Sequence, residues 1–269
     1  MVSKVGLYAY GLVGKSPKQL NILGIDKKNK VYPVEGRDMY VCVSKINTDK
    51  FQGEIKKLLS KLTKTASAVP SGAEGILRRH EDVVDTLMKL TTVVPFKFGT
   101  ILKDEKAALK MLQDYEVRFK KLLSKFRGRA EWGLKAYVDN HEFKKHLVQI
   151  ESPPKNLEEE KGKLSKGAAY LLGRRMEEES KVNVSARLTK ASEGIFQEAG
   201  EYAYESKLNK TLPQKLTGKN KEMILNTAYL IEKGKVARFC KQVKKLIEKY
   251  ESMGIEIELS GPWPPYSFT

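Results

Sequence analysis

Glu131-Trp-Gly-Leu-Lys-Ala-Tyr-Val-Asp139 decides the fold. Trp132, Leu134, Ala136 and Val138 alternate with Glu131, Gly133, Lys135 and Asp139, the period-two pattern of a strand with one buried face. Downstream come a short helix, a Ser152-Pro-Pro154 break and an acidic run, Glu158-Glu-Glu160, suited to the first turn of a helix. Val184, Leu188, Ala191, Ile195, Ala199 and Tyr202 then mark a further helix. A strand is expected from Ala203 to Leu208 and a buried one from Met223 to Ile231. Val236, Phe239, Cys240, Val243, Leu246, Ile247 and Tyr250 form an amphipathic helix. Ile255, Ile257 and Leu259 alternate with Glu256, Glu258 and Ser260 in a last strand, closed by Gly261-Pro262. Strand, helices, strand, strand, helix, strand is the order of a ferredoxin-like sandwich, an antiparallel sheet with helices on one face.

Upstream, Asp104 is expected to open one long helix with Leu112, Tyr115, Phe119, Leu122 and Phe126 as its seam, ended by Arg127-Gly128. A domain boundary is therefore placed there, giving 1–128 and 129–269. The first part reads as a meander followed by helices. Val5 to Leu12 suits a strand, Asn21 to Ile25 a second, and Val31 to Val34 and Met39 to Ile46 two stronger ones. Asp49 is a plausible cap for a helix carrying Phe51, Ile55, Leu58, Leu59 and Leu62. Ser71-Gly-Ala-Glu74 has the spacing of a capping box ahead of Ile76, Leu77, Val83, Val84, Leu87 and Leu90. Pro95 within Val93–Gly99 makes that stretch an edge strand or an extended link. The class is thus α+β in two domains: an N-terminal mixed domain with a small sheet and helices, and a C-terminal ferredoxin-like domain with extra helices.

The chain has 269 residues, 41% hydrophobic and 9% aromatic, enough for a packed core. No apolar run approaches the roughly 20 residues of a membrane-spanning helix, and no signal peptide is read at the N-terminus. The two cysteines, Cys42 and Cys240, are expected as reduced, buried thiols in a cytoplasm. Fifty Lys and Arg against 33 Asp and Glu give a formal charge of +17. That balance leaves open nucleic acid, an anionic surface, or solvated basic helix faces.

Ala9-Tyr-Gly-Leu-Val-Gly14-Lys15-Ser16 imitates a phosphate-binding loop. Pro17 follows where a helix must begin, and Gly24 breaks it soon after, so a strand exit is expected. His141 and His146 are five apart, about 140° around a helix, and cannot share one metal ion. Glu158–Glu160 and Glu177–Glu179 read as solvated faces rather than acid–base pairs. Exposed aromatics interleaved with the basic residues, the mark of a nucleic-acid surface, are missing. No catalytic, cofactor-binding or metal-ligating residue is assigned, and no cofactor. The alternatives are a basic nucleic-acid-binding protein or a nucleotide-binding enzyme using Gly14-Lys15-Ser16. Gly261-Pro-Trp-Pro-Pro-Tyr-Ser-Phe268 is stiffened by three prolines, and its Trp263, Tyr266 and Phe268 can fill grooves, on its own domain or on a partner.

Six blocks carry a resemblance. They are Leu7-Tyr-Ala-Tyr-Gly11, Arg79-His-Glu-Asp-Val-Val84, Val94-Pro-Phe-Lys-Phe-Gly-Thr100, Glu131-Trp-Gly-Leu-Lys135, Leu225-Asn-Thr-Ala-Tyr-Leu230 and the tail from Gly261 to Phe268. In this order the chain resembles the gas vesicle protein GvpF/GvpL family over nearly its whole length. Lys97 stands where the family often has Arg. The resemblance implies a minor structural or assembly component of the gas vesicle, without enzymatic activity. It would be cytoplasmic or on the vesicle, with the shell protein GvpA and other accessory proteins as partners. No specific nucleic acid and no membrane are implied.

Overall fold

The computed structural model describes residues 5–17, 20–64, 71–150 and 166–269, with side chains described at 5–17, 20–56, 75–147 and 183–269. The Ser152–Pro154 break and Glu158–Glu160 lie outside the described residues, as do the side chains of Ser71, Glu74 and Glu177–Glu179. The chain divides into two compact units. One comprises Met1–Trp132, Leu230–Lys233 and Gly261–Thr269; the other comprises Gly133–Tyr229 and Gly234–Ser260.

The first unit is built on β1 (Val5–Val13), which is buried on both faces beyond Val5. It runs antiparallel to β3 (Tyr40–Asn47) on one side, and to β4 (Val93–Pro95) and β5 (Ile101–Leu102) on the other. With β2 (Tyr32–Glu35) on the outer side of β3, the sheet reads β2-β3-β1-β4, with β5 also on β1. The register slips between Ala9↔Val43 and Gly11↔Cys42 and leaves Tyr10 as a bulge. The Tyr10 carbonyl accepts instead from the Phe96 N–H at 2.9 Å. Helices α1 (Thr48–Lys64) and α2 (Ser71–Leu90) cover the sheet, with Val83, Val84 and Leu87 of α2 buried against it. Leu77 and Leu90, expected on the same face, are exposed.

Three local expectations change. Residues 21–25 form no strand, only a single bridge between Leu23 and Lys30, because the Ile25 N–H is taken by the Tyr10 hydroxyl at 2.7 Å. The cap of α1 is Asn47, whose Oδ1 accepts from the Lys50 N–H at 2.9 Å; Asp49 lies in the first turn instead. The expected long helix is two, α3 (Glu105–Asp114) and α4 (Glu116–Phe126), parted at Tyr115, whose φ of −114° and ψ of 18° leave the helical range. That break rotates the seam. Tyr115 becomes 52% exposed, while Phe119, Leu123 and Phe126 are buried and α4 packs on β4.

The second sheet has the order β7-β8-β6-β9, from β6 (Arg129–Val138), β7 (Ala203–Leu208), β8 (Glu222–Glu232) and β9 (Ile255–Trp263). In order of appearance these are the second, third, first and fourth strands, the arrangement of a ferredoxin-like sheet. The helices are α5 (Asn140–Ile150), α6 (Lys166–Gly200), a short α7 (Gln214–Thr217) and α8 (Val236–Glu251). Leu134, Ala136 and Val138 are buried as their alternation requires. Phe239, Val243, Leu246 and Tyr250 form the buried stripe of α8, and Lys249 reaches Glu198 of α6 at 2.6 Å. β9 does not stop at Gly261-Pro262 but runs on to Trp263. It is an edge strand, where proline forfeits no ladder bond.

Two glycines separate space from backbone freedom. A Cβ at Gly24 would overlap Ser44 Oγ and lie 2.6 Å from the Tyr10 hydroxyl, whereas a Cβ at Gly53, inside α1, meets nothing within 4 Å. Gly53→Ala is expected to raise stability by about 0.5–1 kcal/mol, because alanine limits the unfolded chain and favours the helix. Gly24→Ala is expected to lower it by about 1–3 kcal/mol through overpacking. Urea titration of the two variants against the parent checks both signs.

Candidate functional site

The first unit gathers its unusual chemistry around one histidine. His80 lies on α2 and is almost fully buried, an uncommon place for a titratable ring. Its Nδ1 is 3.0 Å from the Tyr8 hydroxyl of β1. That hydroxyl also accepts from the Gly99 N–H at 3.0 Å. The bond joins the Tyr8 hydroxyl to Nδ1, and the tautomer of the ring sets which of the two donates. Burial pushes the His80 pKa down to about 4; the Phe96 backbone carbonyl, which favours a proton on the ring, does not outweigh it. Burial likewise holds Tyr8 well above the usual phenol range and raises Tyr10 to about 12.

Rings enclose this pair. Tyr10 stacks on His80 at 5.9 Å between centroids, Phe98 meets it edge-on at 5.8 Å and Tyr266 lies at 6.2 Å. Phe51 packs edge-on against Tyr8 at 5.3 Å. The Tyr10 hydroxyl accepts from Ile25 N–H and shares a 2.8 Å bond with Ser44 Oγ. Arg79, next to His80, donates from Nε to the Ile25 carbonyl at 2.8 Å. Ile25 is thus held at both backbone groups, by Tyr10 and by Arg79.

The tail closes the same unit. The carboxylate of Glu131 is buried, against the alternation that predicts it outside. It accepts from the Ser267 N–H at 2.8 Å and from Ser267 Oγ at 2.6 Å. This pair of bonds fixes the short 3-10 turn Tyr266–Phe268. Phe268 is buried, and Lys125 stands 5.4 Å over its ring. Gly261 has φ 129°, and a Cβ there would lie 3.0 Å from the Glu131 carbonyl and 3.2 Å from the Trp132 ring, so only glycine takes the chain through this point. Of the three tail aromatics, Tyr266 and Phe268 pack within the first unit, while Trp263 remains 45% exposed.

The other candidate residues lie elsewhere. Gly14 and Lys15 follow β1 as a bend, and no described residue between β1 and β2 is helical, so no helix N-terminus faces Gly14-Lys15-Ser16. His141 is exposed on α5, 3.3 Å from the Glu142 carboxylate. Cys42 is buried and its thiol is raised to about 12 by burial, which keeps it protonated and inert; Cys240 is partly buried. No group of His, Cys, Asp and Glu among the described residues is arranged to hold a metal ion. The His80 cluster itself offers no reacting pair. Its imidazole is engaged by Tyr8, no carboxylate orients it, and rings shut it from solvent. Residues of four of the six family blocks meet in this knot: Tyr8 and Tyr10, Arg79 and His80, Phe98 and Gly99, and Tyr266. Sequence reasoning missed His80, which alternation and spacing alone present as one more polar helix residue.

Two outcomes follow from this geometry. Between pH 6.5 and about 4 the unfolded chain binds a proton at His80 and the folded one does not. Stability is therefore complete above pH 6.5 and falls as the pH drops towards 4, by at most about 3 kcal/mol from this group. Calorimetry from pH 7 to 4 is expected to show a shallower loss in His80→Gln than in the parent. Truncation after Gly261 removes the burial of Phe268 and Tyr266, roughly 2–3 kcal/mol for each ring fully buried, and is expected to lower the Tm by at least about 5 °C. An unchanged Tm would mean that the tail is not docked.

With the geometry in place, the chain can be set beside known proteins. Gas vesicle protein L of Streptomyces sp. (strain CB03234) is 27% identical over 191 residues, 71% of this chain and 67% of that protein. Gas vesicle protein L1 of Halobacterium salinarum is 22% identical over 279 aligned residues, covering 98% of this chain and 90% of its own. The crystal structure of gas vesicle protein GvpF from Anabaena sp. PCC7120 has the same fold, with a TM-score of 0.69 at 21% identity, covering 98% of this chain and 95% of that one. The model of the gas vesicle synthesis protein GvpL/GvpF family matches residues 6–269, and the chain belongs to that family.

Proposed function

We propose that this chain is a non-enzymatic assembly factor or minor structural component of the gas vesicle, and that it binds the shell protein GvpA and other accessory proteins as the vesicle forms. The observation that carries the reading is the family match over residues 6–269. The chemistry of the first unit supports it. Tyr8, Tyr10, Arg79, Glu131 and Ser267 of the matching blocks spend polar groups on one another, on Ser44, on His80 and on the backbone, which builds a frame rather than a reactive centre. The chain works without catalytic, cofactor-binding or metal-ligating residues. Its place is the cytoplasm and the vesicle surface; no described helix is long and apolar enough to cross a membrane.

Assembling an apolar shell in water calls for factors that cover apolar faces before they associate indiscriminately. In this chain the large apolar faces of α4 and α8 are turned into the cores. Contact then falls to apolar residues left outside, of which Tyr115 and Val117 at the α3–α4 break are 52% and 69% exposed. Deleting the gene from a complete vesicle cluster is expected to abolish or deform vesicles, and the purified protein is expected to capture the shell protein. Normal vesicles together with no capture of shell or accessory proteins would overturn the reading.

A further inference from the structure

We propose that the cavity lined by the Gly24–Asn29 turn, the end of β3 and the start of α1 is a docking site for an acidic segment of a partner protein. It lies within the first unit and has a volume of about 490 Å³. That is inside the roughly 300–1,000 Å³ of pockets that hold ligands. Lys27, Lys28, Lys45, Lys50 and Arg79 line it. Its inner wall is apolar, from Ile25, Ile46 and Phe51, all buried. Cations around an apolar wall suit a segment in which acidic and apolar residues are interleaved.

The cations are not consumed by the chain itself. None of the four lysine ammonium groups pairs with a described residue. Arg79 is half-buried, and its Nε donates to the Ile25 carbonyl at 2.8 Å. That bond fixes the guanidinium, and its two Nη groups remain for a carboxylate fork. Two acids also line the cavity, Asp26 and Glu54. Asp26 Oδ1 accepts from the N–H of Lys28 at 2.9 Å and of Asn29 at 3.0 Å, and its Oδ2 from Asn29 Nδ2 at 2.6 Å. Its charge thus holds the turn, and Glu54 is left to offset the five cations.

The turn that carries Lys27 and Lys28 is fixed. Lys27 has φ 58°, a left-handed backbone that lysine rarely adopts. Its N–H donates to the Gly24 carbonyl at 2.9 Å, and the Gly24 N–H to the Asn29 carbonyl at 2.7 Å. The same bonds decide between anions. A phosphate cradle is built largely from free backbone N–H groups. Here those of Lys27, Lys28 and Asn29 are taken within the turn, and that of Lys50 by Asn47. Recognition falls to side-chain cations spread around the cavity, which suits several carboxylates along one peptide. The proposal rests on the geometry and charge of the cavity, and stands or falls apart from the assembly role.

Fluorescence anisotropy of the full chain with a labelled hexapeptide of alternating glutamate and leucine, at about 50 mM salt, tests this. Binding is expected, and the same peptide with glutamine for glutamate is expected to bind at least about tenfold more weakly. Lys45→Glu with Lys50→Glu is expected to weaken binding of the acidic peptide by at least about tenfold. Lys244→Glu with Lys245→Glu makes the same change of charge on exposed lysines of α8 and is expected to alter it by less than about threefold. Arg79→Lys keeps the charge but gives up the fork, and is expected to weaken binding by about threefold or more. Circular dichroism checks folding; should Arg79→Lys not fold, the two lysine pairs alone decide. No binding up to roughly 1 mM peptide would overturn the proposal, as would equal losses in the two lysine pairs, the mark of a response to net charge alone. Tripolyphosphate binding more tightly than the peptide, and lost in Lys45→Glu with Lys50→Glu, would assign the cavity to phosphate and overturn it as well.

Discussion

The hydroxyl of Tyr8 is the point on which the first unit depends. It joins three elements that no regular ladder joins: β1, which carries it; α2, through His80; and the turn after β4, through the Gly99 N–H. Each partner is buried or partly buried, so losing any one leaves a polar group without its bond where water cannot replace it. Such a bond contributes about 1 kcal/mol net when made, and its absence costs about 1–3 kcal/mol. The rings of Tyr10, Phe51, Phe98 and Tyr266 supply the dry surroundings that make that difference large. The same surroundings keep His80 neutral.

A second polar knot, at Glu131, repeats the logic at the chain's end. A buried carboxylate is unfavourable unless its oxygens are satisfied. Both are: Ser267 donates from its N–H to one and from its hydroxyl to the other. The tail therefore serves as the counterpart of a group already placed by β6. Its prolines limit the conformations it must give up, and Gly261 supplies the one backbone angle that lets the chain arrive there. Tyr266 then lies beside His80, so the tail helps to roof the first knot.

Much of this architecture was legible. Alternation placed β6 and β9, and helical spacing placed α8, because those elements are amphipathic and each residue reports its own face. The bulge at Tyr10 was not legible: a residue added to a strand changes no local preference, and its carbonyl is satisfied by Phe96, which is remote in sequence. The break at Tyr115 was hidden for a related reason. Leu112, Tyr115, Phe119 and Phe126 keep a helical spacing across it, so the pattern stays continuous where the backbone does not. Glu131 was misread because period-two alternation assigns faces without knowing that a serine donor waits on the buried one. His80 was recognisable only through the block around it, since the Tyr8 that gives it meaning is 72 residues away.

These two knots bear on how such a chain meets its partners. Groups that satisfy one another inside a rigid unit cannot also recognise something outside without giving up those bonds, which is costly in a dry interior. Recognition is left to what the packing does not consume, such as the exposed side chains of Tyr115 and Val117 at the break between α3 and α4. They offer apolar area, which is adaptable and weakly selective. A buried frame that spends polar groups internally thus confines any contact with the outside to side chains at its surface.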